Sequence, residues 1–248
     1  MPEPIPQNNA PLLEAAGAGI YRSNSHALAV RDVNWKVNAG EFWVVGGRHG
    51  SGKSAFLATM SGLRPPASGT ILHFGFNLDT LSEPDALEQR KRSGYVFKGG
   101  GRMLPDLSVA QNIALPLRYH HDWTEEESEE FVKGLLADTE LTPFADQEAH
   151  LLTTGWQQRV GLARALAMQP DILFLDEPMA GLEFSHRTWW RKFLRQLADG
   201  SKFMEGRKMT MVAATSDFSL WNARYHFAEI KDGRWEIHGP RDTAPEIN

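Results

Sequence analysis

Gly47-Arg48-His49-Gly50-Ser51-Gly52-Lys53-Ser54 decides the fold. The stretch fits Gly-x4-Gly-Lys-Ser, the phosphate-binding loop pattern. Before it, Phe42-Trp43-Val44-Val45 is short, apolar and suited to a buried strand. After it, Ala55-Phe56-Leu57-Ala58-Thr59-Met60 has the apolar spacing of a helix. The glycines let the backbone curl so that several N–H groups face one anion. The helix adds its positive end to the same anion. In such a loop Lys53 reaches the β- and γ-phosphates and Ser54 holds Mg²⁺.

Working outward, Gly19-Ile20-Tyr21, Ala27 to Val30 and Val33 to Val37 read as strands. Residues 1–17 read as a flexible tail and 18–248 as one folded domain. Beyond the loop helix, Thr70 to Phe74 and Gly94 to Phe97 are strand-like, and Ala86 to Arg92 is helical. Lys98-Gly99-Gly100-Gly101-Arg102 reads as a flexible link. From about Met103 to Leu152 strand signals stop and helical ones take over, a helical insertion in an α/β chain. Thr124 to Glu127 resembles a capping box. Trp156 to Met168 and Arg187 to Leu197 are helical, and Tyr225 to His238 is a hairpin turning at Asp232-Gly233.

Ile172-Leu173-Phe174-Leu175-Asp176-Glu177 is an apolar run ending in two carboxylates. Such a run fits a parallel-sheet strand covered on both faces, with the acids at the end where ligands bind. Asp176 there orients Mg²⁺, and Glu177 polarises an attacking water as general base.

The chain has 248 residues with 42% hydrophobic and 23% charged, the balance of a soluble globular protein. A net charge of −5 argues against a nucleic-acid partner. With no cysteine, disulfides and thiolate metal sites are excluded. No apolar run approaches the ~20 residues of a membrane span, and the N-terminus lacks a secretory signal, so a cytoplasmic location is expected.

Between loop and acidic strand lies Leu152-Thr153-Thr154-Gly155-Trp156-Gln157-Gln158-Arg159-Val160-Gly161-Leu162-Ala163-Arg164-Ala165-Leu166. It resembles the signature and following helix of ATP-binding cassette (ABC) ATPases, whose pattern is Leu-Ser-Gly-Gly-Gln and then Gln-Gln-Arg-Val. The resemblance implies a P-loop NTPase core of mainly parallel sheet with an antiparallel β part and the helical insertion. It also implies ATP and Mg²⁺ as cofactors. Two cassettes, alike or different, would pair head to tail, each ATP lying between one phosphate loop and the other signature. An integral membrane transporter subunit would hold the pair at the inner face of the cell membrane.

Carried over by position, Gly47, Arg48, His49, Gly50, Ser51, Gly52, Lys53, Ser54 and Ala55 bind phosphate, and Ser54 and Asp176 hold the metal. Tyr21 matches the aromatic that stacks on adenine, with a half-buried strand tyrosine as the other reading. Thr153 keeps the signature hydroxyl, Gly155 a close backbone approach, and Glu177 is the base. Departures matter as much. The family's glutamine after the Tyr-Val-Phe strand is Lys98, which cannot accept a hydrogen bond from water. The family's histidine after the last core strand is Ser216. Trp156 replaces the signature glutamine, which adds bulk where backbone meets phosphate, and Ala55 lacks the usual threonine hydroxyl. Lys98 and Ser216 are therefore expected to slow ATP hydrolysis. The segment Asn112-Ile113-Ala114-Leu115-Pro116-Leu117-Arg118 resembles Mla-type phospholipid transporter ATPases, which implies a lipid cargo.

Overall fold

The computed structural model describes residues 10–23, 25–120, 123–200 and 206–238. Among the described residues ten strands form one sheet, in the order β5-β4-β1-β2-β10-β9-β3-β8-β7-β6. Its centre is parallel: β3 (Phe42–Gly46), β8 (Thr210–Ala214), β7 (Ile172–Asp176) and β6 (Ser93–Val96) lie side by side. All residues of β3, β7 and β8 are buried, as apolar runs covered on both faces require.

Alternation along these strands divides the interior in two. Val44, Leu173, Leu175, Met211 and Ala213 point into one core, shared with four helices. These are α3 (Val109–His120), α4 (Glu125–Asp138), α5 (Thr154–Ala167) and α6 (Phe184–Asp199). Trp43, Val45, Phe174, Val212 and Ala214 point into the other, shared with α1 (Lys53–Met60). The second core also holds the antiparallel strands β1 (Leu13–Tyr21) and β2 (Leu28–Val37). β1 pairs with β2 and with β4 (Ser68–His73), which pairs with β5 (Phe76–Asn77). The hairpin of β9 (His226–Lys231) and β10 (Arg234–His238) links the two parts, through β9 to β3 and β10 to β2. This is the α/β P-loop cassette architecture expected from the sequence.

The helical insertion consists of α3 and α4 (Glu125–Asp138), which bury Ile113, Leu117, Val132 and Leu135 in the first core. The expected capping box is present, with Thr124 and Glu127 bonding each other's backbone. The remaining helix, α2 (Glu83–Lys91), is capped by Ser82.

Three expectations change. The folded chain starts before residue 18: β1 runs from Leu13, with Leu13, Ala15 and Ala18 buried. Its Ala- and Gly-rich sequence hides a strand that two flanking partners hold in register. Of the expected tail, residues 1–9 lie outside the described residues. The two stretches from Ala27 and Val33 are one strand, β2. Lys98 to Gly100 forms a tight 3-10 turn seated on α5 rather than a flexible link. A Cβ on Gly161 would lie 2.4 Å from the Gly100 carbonyl oxygen, and one on Gly100 would lie 2.2 Å from that of Gln157. The glycines are there for close approach of backbone to backbone. Gly161→Ala is expected to cost about 2–3 kcal/mol, since overpacking against backbone finds no flexible neighbour to yield. Urea unfolding checks this, and an unchanged midpoint would refute it.

Candidate active site

The loop from Gly47 to Gly52 leaves β3 and enters α1 with Gly50 and Gly52 at φ of 79° and 102°. No side chain caps α1, and no acid lies in its first turn. Its leading amides are therefore left facing the loop interior, the arrangement that binds an anion. Arg48 and His49 are exposed at the loop's tip, and Arg22 Nη1 donates to the Gly50 carbonyl at 3.5 Å. Ala55 turns its methyl into the second core and leaves only backbone to the site.

Lys53 is 6% exposed. Its Nζ donates to the carbonyls of Gly47 at 2.7 Å and Arg48 at 3.1 Å, and lies 3.3 Å from Glu177 Oε1. The ammonium group thus sits at the loop's centre, charge-matched from below. Ser54 Oγ donates to Asp176 Oδ1 at 3.0 Å. Burial pushes the Asp176 carboxyl above its ordinary value, the Ser54 bond opposes this, and the Glu177 charge adds to it. Lys98 and Lys53 favour the ionised form. Tyr95, whose phenol burial and the Asp176 charge push upward, completes the surroundings of this acid.

Glu177 follows β7 in the left-handed region, φ 50°, with its N–H bonded to the Ala214 carbonyl at 3.1 Å. A non-glycine residue held there stores strain, on the order of 1–3 kcal/mol, which clusters at functional sites. The same turn aims the carboxylate at Ser216, whose N–H donates to Oε2 at 3.1 Å and whose hydroxyl donates to Oε1. Sequence reading placed Glu177 and Ser216 separately. The contact between them spans 39 positions, and no local signal could have shown it.

One hydroxyl, one hard carboxylate and a basic loop fit a magnesium nucleotide: Mg²⁺ takes few protein oxygens and completes its shell from phosphates and water. Among the described residues no cluster of three or more His, Asp or Glu offers a self-sufficient metal site.

The model of the ABC transporter family matches residues 30–180. The chain belongs to the ABC transporter family. It is 37% identical over 220 residues to the trimethylamine N-oxide transport system ATP-binding protein TmoW of Ruegeria pomeroyi, covering 87% of this chain and 62% of that one. It is 34% identical to the glycine betaine/carnitine transport ATP-binding protein GbuA of Listeria monocytogenes, covering 74% of this chain and 46% of that one. The chain therefore spans roughly half to three-fifths of these relatives' length. Among solved structures, the ATP-binding cassette MJ0796 in a dimeric post-hydrolysis state with ADP and Pi superposes with a TM-score of 0.78. The identity there is 27%, over 90% of this chain and 96% of that one. CbiO1 of Clostridium perfringens, part of the transporter complex cbiONQ, gives 0.76 at 25% identity, over 91% and 87%.

The segment from Leu152 to Trp156, which resembles the ABC signature, leads into α5. Thr153 stands at its N-cap, exposed, with its side chain making no capping bond. Gly155 is buried under His186, whose ring would lie 2.5 Å from a Cβ at that position. Trp156, which stands in place of the signature glutamine, is half-buried. Its ring turns onto Phe144 at 4.5 Å and His186 at 5.1 Å, and the Arg159 guanidinium covers it at 4.4 Å. Among the described residues no hydrogen bond or ion pair joins Thr153, Thr154 or Gly155 to the phosphate loop of the same ABC cassette. Tyr21 ends β1 at 38% exposed, its ring nearly perpendicular to that of His26 at 5.8 Å. Lys98 is exposed beside Asp176.

Proposed function

We propose that this chain is the ATP-binding and ATP-hydrolysing cassette of a membrane transporter. The observation that carries this reading is the buried Lys53 ammonium centred in the loop, with Ser54 and Asp176 joined beside it. Gly47 to Ala55 hold the triphosphate, mainly through backbone amides and Lys53, and Tyr21 stacks on the adenine. Ser54 and Asp176 hold Mg²⁺, which neutralises charge on the phosphates. Glu177 takes a proton from water as its oxygen attacks the γ-phosphorus. The bond to the β–γ bridging oxygen breaks, giving ADP and phosphate.

Thr153 and Gly155 act on the nucleotide of a second cassette, alike or different, in a head-to-tail pair. The exposed, uncapped Thr153 and the dimeric state of MJ0796 support this. An integral membrane subunit places the pair on the cytoplasmic face of the membrane. No helix among the described residues is itself long and apolar enough to cross one.

Hydrolysis is slow. Lys98 stands where water needs an acceptor, and Ser216 supplies a hydroxyl where a cation would stabilise the γ-phosphate. Losing one preorganised contact of that kind costs on the order of 10²–10³ in rate. The purified chain alone is expected to turn over below about 1 per second, and a rate in the ordinary range of roughly 1–10³ per second would refute this. A phospholipid cargo rests on the Asn112 to Arg118 likeness. The Asn112 side chain itself serves the loop before α3, bonding Leu104, Leu107 and Ser108. Co-purification of the chain with membrane proteins, and stimulation of that complex by phospholipid vesicles, tests transport and cargo together. A complex indifferent to lipid would leave the motor and remove the cargo.

A further inference from the structure

We propose that the cavity between α6 and the segment following Ser216 binds a small anion with a flat apolar body, of the aryl phosphate class, as an effector of hydrolysis. The cavity measures about 250 Å³. One wall is a single face of α6: Thr188, Arg191, Lys192 and Arg195 recur at the spacing that stacks side chains on one side of a helix, and all four line it. Among the described residues no carboxylate lines it. Arg191 and Lys192 have no carboxylate partner among the described residues. Arg195 lies 3.6 Å from Asp199, whose other oxygen is taken by Arg224 at 2.8 Å. Three neighbouring cations on one helix face repel one another, and an anion between them relieves that. They stand out in a chain of net charge −5.

The rest of the lining is largely apolar, with Asn222 the one polar side chain besides the Tyr225 phenol. Met179, Leu194, Trp221 and Tyr225 are buried yet border the cavity. The Tyr225 ring is held by Phe42, centroid to centroid 4.1 Å. A flat ring fits against these side chains while its anionic group meets the guanidinium groups, since a pocket binds by apolar walls with a few convergent charges.

The location assigns the consequence. Met179 follows Glu177 by two residues, in a turn closed by the Ala180 N–H on the Glu177 carbonyl at 3.1 Å. Leu220 ends the 3-10 turn Phe218–Leu220 that follows Ser216. A ligand here touches both segments that carry the Glu177–Ser216 hydrogen bonds, and so bears on their separation.

Phenyl phosphate is the probe. Titration into the Lys53→Ala chain, which disables the phosphate loop, measures this site alone by calorimetry. Binding in the submillimolar range is expected, at least about tenfold weaker once Arg191→Gln and Arg195→Gln are added, and weaker for inorganic phosphate or phenol alone. Both arginines are exposed, and circular dichroism verifies that the variant folds. In the otherwise unaltered chain, phenyl phosphate is expected to change ATP hydrolysis by at least about threefold, an effect absent from the Arg191→Gln, Arg195→Gln variant. The proposal is overturned by any of three results. These are no heat at millimolar probe, equal binding to the arginine variant, or binding that leaves hydrolysis unchanged. Capture of an acidic peptide in place of phenyl phosphate would also overturn it. Nucleotide affinity is measured separately, so failure here leaves the cassette reading standing.

Discussion

Lys53→Ala is expected to weaken binding of magnesium ATP at least about 100-fold, the equivalent of roughly 2.7 kcal/mol. The estimate follows from position. The ammonium group is 6% exposed and lies 2.7 Å and 3.1 Å from two loop carbonyls, so its charge is already desolvated and aimed before any nucleotide arrives. Hydrogen bonds to charged groups contribute about 1.5–3 kcal/mol each, and a terminal phosphate would receive one or two from this group. The loop itself should survive. The substitution removes the Lys53 bonds to the Gly47 and Arg48 carbonyls, but the positive φ at Gly50 and Gly52 and the Ser51 N–H bond to the Arg48 carbonyl at 3.1 Å still hold the curl. The loss should therefore appear in calorimetry without a matching loss in circular dichroism. Affinity within about threefold of the parent would mean that the amides alone hold the phosphates and that Lys53 is only a structural strut.

The sequence was most legible where spacing is rigid. Loop, signature and acidic strand each sit on a local pattern, so the sequence alone points to Lys53, Ser54, Asp176 and Glu177, and the structure brings all four together. The apolar strands β3, β7 and β8 were equally plain. Composition misled at Gly100, because a glycine admitted for close packing looks the same as one admitted for freedom. It misled again at Leu13 to Ala18, where partners on both sides make a strand from residues with little preference for one. Direction was invisible throughout. Nothing in the order of residues says that Trp156 faces Phe144 and His186, or that Ser216 reaches back to Glu177. Such contacts are set by how distant elements pack.

Glu177→Gln is expected to leave nucleotide binding intact and lower hydrolysis by about 10²–10⁴, the usual contribution of a positioned general base. Glutamine keeps the volume and one acceptor oxygen, so the Ser216 N–H can stay bonded and the left-handed turn at residue 177 need not move. What disappears is the anion that can take a proton from water, together with the countercharge 3.3 Å from Lys53. Freed of that carboxylate, Lys53 attracts the triphosphate more strongly, so affinity should hold or rise while turnover falls. This opposition separates a base from a scaffold. If Glu177 only buttressed the loop, its loss would weaken binding and leave the rate per bound nucleotide unchanged. Single-turnover hydrolysis with bound ATP distinguishes the two. A variant hydrolysing within about fivefold of the parent would remove Glu177 from the chemistry. It would leave a cassette that grips ATP to hold an assembly together while a partner hydrolyses.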